Sequence, residues 1–195
     1  MSLIIGLTGP TGAGKSEASL IFKEYGFFTV DCDKVSKEVT KKNSCVIKKL
    51  CEVFGQDILC SDNTLDRKKL ARVAFSSKEN TELLNRTVLP AICEEIAEII
   101  KGKDKVLLDA PTLFESGLDK ICDKTVCVFA NEDIRLKRIT VRDSIEKQDA
   151  LLRISAGKTE DFYKSRTDYF LLNNGDFETF KSQLTDVINN INGGI

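Results

Sequence analysis

The sequence predicts an α/β fold: a five-stranded, mostly parallel sheet with helices on both faces and a helical insertion. Three observations carry this. Short apolar runs without polar alternation, at residues 3–8, 105–109 and 125–129, suit strands buried on both faces. A glycine-rich turn and an amphipathic helix separate the first run from Phe27-Phe28-Thr29-Val30-Asp31, which is the spacing of a βαβ unit. Between about Lys34 and Lys101 the pattern is almost wholly helical, so a lobe is inserted between two strands.

The elements follow in order. Ser16 to Tyr25 reads as a helix, with Ala18, Ile21, Phe22 and Tyr25 at helical spacing and Gly26 at its C-terminal cap. Asp33 suits the N-cap of a helix from Lys34. Ser44 can cap the next, whose apolar face is Val46, Ile47, Leu50, Cys51 and Phe54. Asp66 can start another, with Leu70, Val73 and Ala74 on one side, and Pro90 fits the first turn of a further helix bearing Ile92, Ile96, Ile99 and Ile100. Asn131 caps a helix to about Arg142, and more helix runs to about Arg166. Tyr169-Phe170-Leu171-Leu172 is the fifth strand, closed by Asn173-Asn174-Gly175. The last helix, about Phe177 to Ile191, presents Phe180, Leu184, Val187, Ile188 and Ile191.

Composition excludes several kinds of chemistry. There are 195 residues, 42% hydrophobic and 30% charged, with a formal charge of −1, which fits one globular domain without a whole-chain field for nucleic acid or membrane. Zero histidines exclude Ser-His-Asp and Cys-His machinery within the chain, and any general base is expected to be a carboxylate. The seven cysteines form no Cys-x-x-Cys pair, so they read as small apolar residues of a reduced, cytoplasmic chain. Neither a signal peptide nor a membrane span is expected.

Gly9-Pro10-Thr11-Gly12-Ala13-Gly14-Lys15-Ser16 matches G-x-x-x-x-G-K-[ST]. Glycines let the backbone turn its N–H groups onto phosphate oxygens, and the following helix presents its positive end to the same anion. Lys15 can reach the β- and γ-phosphates, and the Ser16 hydroxyl can ligate Mg²⁺. The fold expected is therefore a three-layer, P-loop NTPase-like one. Asn-Lys-x-Asp, Asp-x-x-Gly and Leu-Ser-Gly-Gly-Gln are all absent, which disfavours GTPases and transporter ATPases. A small-molecule kinase is favoured, with a nucleoside or nucleotide kinase and a non-catalytic nucleotide sensor as competing readings.

Three clusters bear on the choice. Asp31-Cys32-Asp33 ends the second strand, where Asp33 can take a proton from an acceptor hydroxyl or help hold metal. Asp109 ends another strand, in the position of an acidic metal-assisting group, or else as a turn former before Pro111. Arg135, Arg138 and Arg142 share one helix face, either as a lid for the charge of phosphoryl transfer or as a solvated basic stripe.

Taken together, these residues resemble the dephospho-coenzyme A kinase family. The likeness covers Ile5 through Ser16, Val30-Asp31-Cys32-Asp33, Leu65 to Leu70, Leu84-Asn85 through Pro90, Leu108-Asp109-Ala110-Pro111-Thr112-Leu113-Phe114-Glu115, Arg138 to Asp143, and Asp168 with Asn173 and Gly175. The chain departs from the family pattern at Leu89, Gly157 and Glu17, where His, Gln and Thr are usual. The resemblance implies that ATP, with Mg²⁺, phosphorylates the ribose 3′-hydroxyl of dephospho-coenzyme A. It implies Asp33 as base, Lys15 on the transferring phosphate, and Arg138 and Arg142 closing over the phosphates. Gly9, Gly12, Ala13, Gly14, Lys15, Ser16, Glu17 (through its backbone N–H) and Asn173 would bind nucleotide, and Ser16 and Asp109 would attend the metal. A core at about 1–33, 104–130 and 167–195, a substrate lobe at about 34–103 and a lid at about 131–166 are expected, in a monomer or weak homo-oligomer.

Overall fold

The computed structural model describes residues 2–42 and 44–193. Its five strands are β1 (Leu3–Thr8), β2 (Phe28–Asp31), β3 (Lys105–Asp109), β4 (Lys124–Phe129) and β5 (Tyr169–Leu172). They lie in the order β2-β3-β1-β4-β5, and all four pairings are parallel. The sheet is thus wholly parallel.

Strand periodicity divides the core into two layers. Ile5 and Leu7 of β1, Leu107 of β3 and Val126 and Val128 of β4 pack with Ile21, Phe22, Leu184 and Ile188. Those last four come from α1 (Lys15–Glu24) and α10 (Phe177–Gly193). Val106 and Leu108 turn the other way, toward Ile92, Ile96 and Leu113. Burial of both faces explains why these strands read as continuous apolar runs. Gly6 is small for a packing reason: a Cβ there would lie 2.7 Å from Leu113 Cδ2. Leu113 opens the short helix α6 (Leu113–Ser116) that follows β3.

Helices α2 (Cys32–Lys42), α3 (Ser44–Phe54), α4 (Arg67–Ala74) and α5 (Lys78–Ile99) fall between β2 and β3 and pack on one another. Asp66 caps α4, accepting from the N–H groups of Lys68 and Lys69 at 3.0 and 3.1 Å. The capping role expected of the Ser44 side chain lies outside the described residues. Two expectations are corrected. Asp33 is not the cap of α2: the Asp31 carboxylate accepts the Lys34 N–H at 2.9 Å, and Asp33 lies in the first turn. Pro90 does not open a helix but sits inside the 22-residue α5, whose cap is Ser77, accepting from the Asn80 N–H at 3.1 Å. Proline costs that helix the bond to the Arg86 carbonyl, but both residues are exposed and water can take its place.

After β4 come α7 (Glu132–Asp143), α8 (Lys147–Ser155) and α9 (Glu160–Lys164). Asn131 stands at the N-cap position of α7 without a side-chain capping bond, and its N–H donates instead to Asn174 Oδ1 at 2.9 Å. The thiols of Cys32, Cys122 and Cys127 are pushed up by burial, the first two to about 12, whereas Cys45 and Cys60 are exposed on the α2–α5 segment. No helix among the described residues is long and apolar enough to cross a membrane.

Asp168 ties the β5 end of the sheet to β4. Its carboxylate accepts from the Thr125 N–H and hydroxyl, each at 2.8 Å, and from Lys124 Nζ at 3.3 Å. Partial burial pushes its pKa up, but the Thr125 and Lys124 contacts outweigh that and hold it below the ordinary Asp value. A lowered folded-state pKa gives stability that is present above the unfolded value and lost as pH falls through the folded one. Asp168→Ala should cost about 1 kcal/mol at neutral pH, with the difference from the parent shrinking below roughly pH 4. Urea melts at pH 7 and at pH 3 check both parts.

Candidate active site

The loop between β1 and α1 begins at Gly9, and Gly14 (φ 101°) stands at the N-cap of α1. That left-handed backbone suits glycine. A Cβ on Gly14 would run into the Asn173 amide, and one on Gly12 (φ 78°) would lie 2.9 Å from Ile139 Cγ1 and 3.0 Å from the Arg135 carbonyl. The loop is therefore packed between the start of α1, α7 and the residue after β5.

Its carbonyl groups have specific partners. Arg135 Nε donates to the Thr11 carbonyl at 3.0 Å. Arg138 Nη1 donates to the Ala13 carbonyl at 3.3 Å and, at 3.5 Å, to that of Gly12. Asn173 Nδ2 donates to Ala13 at 2.9 Å, while its Oδ1 accepts from Arg138 Nη2 at 3.3 Å. The Asn173 N–H in turn donates to the Phe129 carbonyl at 2.7 Å, fixing this residue to the end of β4. Arg135 is buried, and that burial lowers its pKa from the ordinary guanidinium value.

A cavity of about 880 Å³ opens over this loop. Residues 9–17 line it, with Pro111, with Lys137, Arg138, Val141 and Arg142 of α7, and with Asn173, Gly175, Phe177 and Phe180. The Ala18 N–H donates to the Gly14 carbonyl, so N–H groups earlier in α1 have no partner in the helical ladder. A positive helix end, two ammonium groups and two guanidinium groups on the wall suit a polyphosphate chain.

All the residues expected to bind nucleotide, Gly9, Gly12, Ala13, Gly14, Lys15, Ser16, Glu17 and Asn173, line this cavity. Lys15 Nζ is ion-paired with the Asp109 carboxylate, so the first residue of α1 meets the last residue of β3. Asp33 is not on the cavity wall. It is exposed, two residues beyond Asp31, which is in register with Asp109 across the β2–β3 pair. Arg142 lines the cavity, but its guanidinium is engaged by Asp143, Nε to Oδ1 at 2.7 Å, and that bond raises its pKa. On the opposite side, the Asn85 amide donates to the Glu115 carbonyl, joining α5 to the segment after β3.

The donor set fits a hard divalent cation. Ser16 offers an exposed hydroxyl and Asp109 a carboxylate, both oxygen donors. Among the described residues no group of three or more His, Cys, Asp or Glu could hold a metal.

Sequence reasoning missed part of the wall. Val141 and Phe177 are 81% and 51% exposed, two apolar side chains at the cavity that read only as helix residues. Val141 falls inside the Arg138 to Asp143 stretch, where only the two arginines are singled out. Phe177 follows Asn173 and Gly175 closely enough that its place beside them could have been inferred.

Comparison with known proteins bears on the family and the fold. The family model described as CoaE, dephospho-CoA kinase, matches residues 3–179. A dephospho-CoA kinase from Bacillus licheniformis is 33% identical, covering 96% of both chains. One from Fusobacterium nucleatum is 37% identical over 90% of this chain and 92% of its own. A crystal structure from Thermus thermophilus superposes with a TM-score of 0.77 at 27% identity, covering 97% of each chain. Shikimate kinase from Bacteroides thetaiotaomicron, at 14% identity, a TM-score of 0.50 and 95% of each chain, shares the fold alone. With the family model matching residues 3–179 and curated relatives matching along nearly the whole length, the chain belongs to the dephospho-CoA kinase family.

Proposed function

We propose that the cavity over residues 9–17 takes the triphosphate of ATP and that the acceptor is the ribose 3′-hydroxyl of dephospho-CoA. Family membership makes the chain an ATP-dependent phosphotransferase of the last step of coenzyme A biosynthesis. The observation that carries the assignment of the site is the loop itself, wrapped around the start of α1 with Lys15 and Asp109 paired at its edge.

Lys15 gives up Asp109 for the β- and γ-phosphates when nucleotide enters, since a doubly charged phosphate attracts an ammonium more strongly than one carboxylate does. Ser16 and the released Asp109 would then hold Mg²⁺. When bound, that ion neutralises charge on the β- and γ-oxygens. Asp33 accepts the proton of the 3′-hydroxyl as its oxygen bonds to the γ-phosphorus, and the bond from that phosphorus to the β–γ bridging oxygen breaks to release ADP. Arg138 already faces the loop and stabilises the moving charge. Arg142 reaches the phosphates by exchanging Asp143 for them. Helices α2 to α5 hold the acceptor, and closure of the α7–α9 segment excludes water.

Two variants test these roles by ADP release with dephospho-CoA as acceptor. Lys15→Ala should lower kcat by roughly 10²-fold or more. Activity equal to the parent's refutes the phosphate role. Asp33→Asn should lower kcat by roughly 10²- to 10⁴-fold while leaving ATP affinity, measured by calorimetry, within about twofold. Full turnover in that variant removes Asp33 as the base.

A further inference from the structure

We propose that Arg135 is a positioning residue for the nucleotide: its buried guanidinium sets the orientation of the phosphate-binding loop from behind. This deepens, and rests on, the reading of the cavity as the ATP site.

Arg135 is only 4% exposed and is not on the cavity wall. A guanidinium is costly to bury, so its placement needs compensating contacts. Two are present. Nε donates to the Thr11 carbonyl at 3.0 Å, and the group lies over the Phe129 ring, 5.6 Å from its centroid. Nη2 is buried with no hydrogen-bond partner among the described residues and lies 3.9 Å from where a Cβ on Gly157 would stand. Among the described residues no carboxylate makes a salt bridge with Arg135, and the nearby Glu132 charge favours the guanidinium without outweighing its burial. The most direct bond of Arg135 is the one to the loop.

That bond has a consequence for the opposite end of the peptide unit. A trans peptide is planar, with its C=O and the next N–H pointing in opposite directions, and no peptide bond among the described residues is cis. Fixing the Thr11 carbonyl toward α7 turns the Gly12 N–H away from α7. Gly12 lines the cavity, so the amide so oriented belongs to the cradle itself. The close approach of α7 to Gly12, where Ile139 and the Arg135 carbonyl leave no space for a Cβ, holds the same peptide from the side. Arg138 acts on the following two carbonyls, but from the cavity wall, where it can also meet substrate. Arg135 cannot do so, and its effect must pass through the loop.

Side-chain length supplies the test. In Gln the amide nitrogen stands the same number of bonds from Cα as Arg Nε, and in Met the terminal methyl carbon occupies that place without a donor. ATP affinity is measured by calorimetry, KM and kcat by ADP release, and folding by thermal melting. Arg135→Met should weaken ATP binding and raise the KM for ATP roughly tenfold, with kcat and the KM for acceptor within about threefold. Arg135→Gln should recover most of that loss although it lacks the charge. Met binding ATP as tightly as the parent overturns the proposal, and so does Gln as weak as Met, because charge or bulk would then be the cause. Should Met fail to fold, Phe129→Leu decides. Removing the ring under the guanidinium should weaken ATP binding roughly threefold, and unchanged binding overturns the proposal. If the parent itself binds no ATP, or Lys15→Ala binds it as well as the parent, then the assignment of the cavity has failed and not the role of Arg135.

Discussion

Three consecutive carbonyl groups, those of Thr11, Gly12 and Ala13, are held by side chains from α7 and from the residue after β5. This is the constraint on which the site depends. A glycine-rich loop has little conformational preference of its own, and left unsupported it would pay the entropy of ordering each time phosphate arrived. Here the ordering is built into the fold. Asn173 is fixed to β4 through its backbone and to the loop through its amide, so the sheet, the loop and α7 share one hydrogen-bond network.

The parallel sheet supplies the rest of the arrangement. All five strands point the same way, so Thr8, Asp31, Asp109 and Phe129 end on one side, where open α/β sheets bind ligands. Register places Asp31 directly beside Asp109, and Asp109 meets Lys15 at the start of α1. Asp109 thus stands at the end of β3, whose three interior residues are fully buried, a rigid base for the group that Lys15 meets.

Much of this was legible in the residues. The P-loop spacing, the apolar strands and the caps Gly26 and Asp66 each carry a local physical reason, and local reasons survive folding. What the residues did not reveal depends on choices made in three dimensions. Asp31 and Asp33 are both plausible caps by type, and only the path of the chain out of β2 selects the former. Pro90 looked like a beginning because proline is favoured there, whereas a solvent-facing position inside a long helix tolerates it as well. Arg135 was legible as part of a basic stripe, but a stripe does not say which member turns inward. Burial of Arg135 beside exposed Arg142 comes from the docking of α7 on the loop.

The distribution of thiols divides the molecule by reactivity. Cys32, Cys122 and Cys127 stay protonated because burial penalises the thiolate, and a protonated sulfur is a poor nucleophile. Cys45 and Cys60 stand in solvent, both in the segment between β2 and β3. A maleimide dye would therefore mark the helical insertion and spare the strands, making that insertion an addressable handle for watching it move against the sheet.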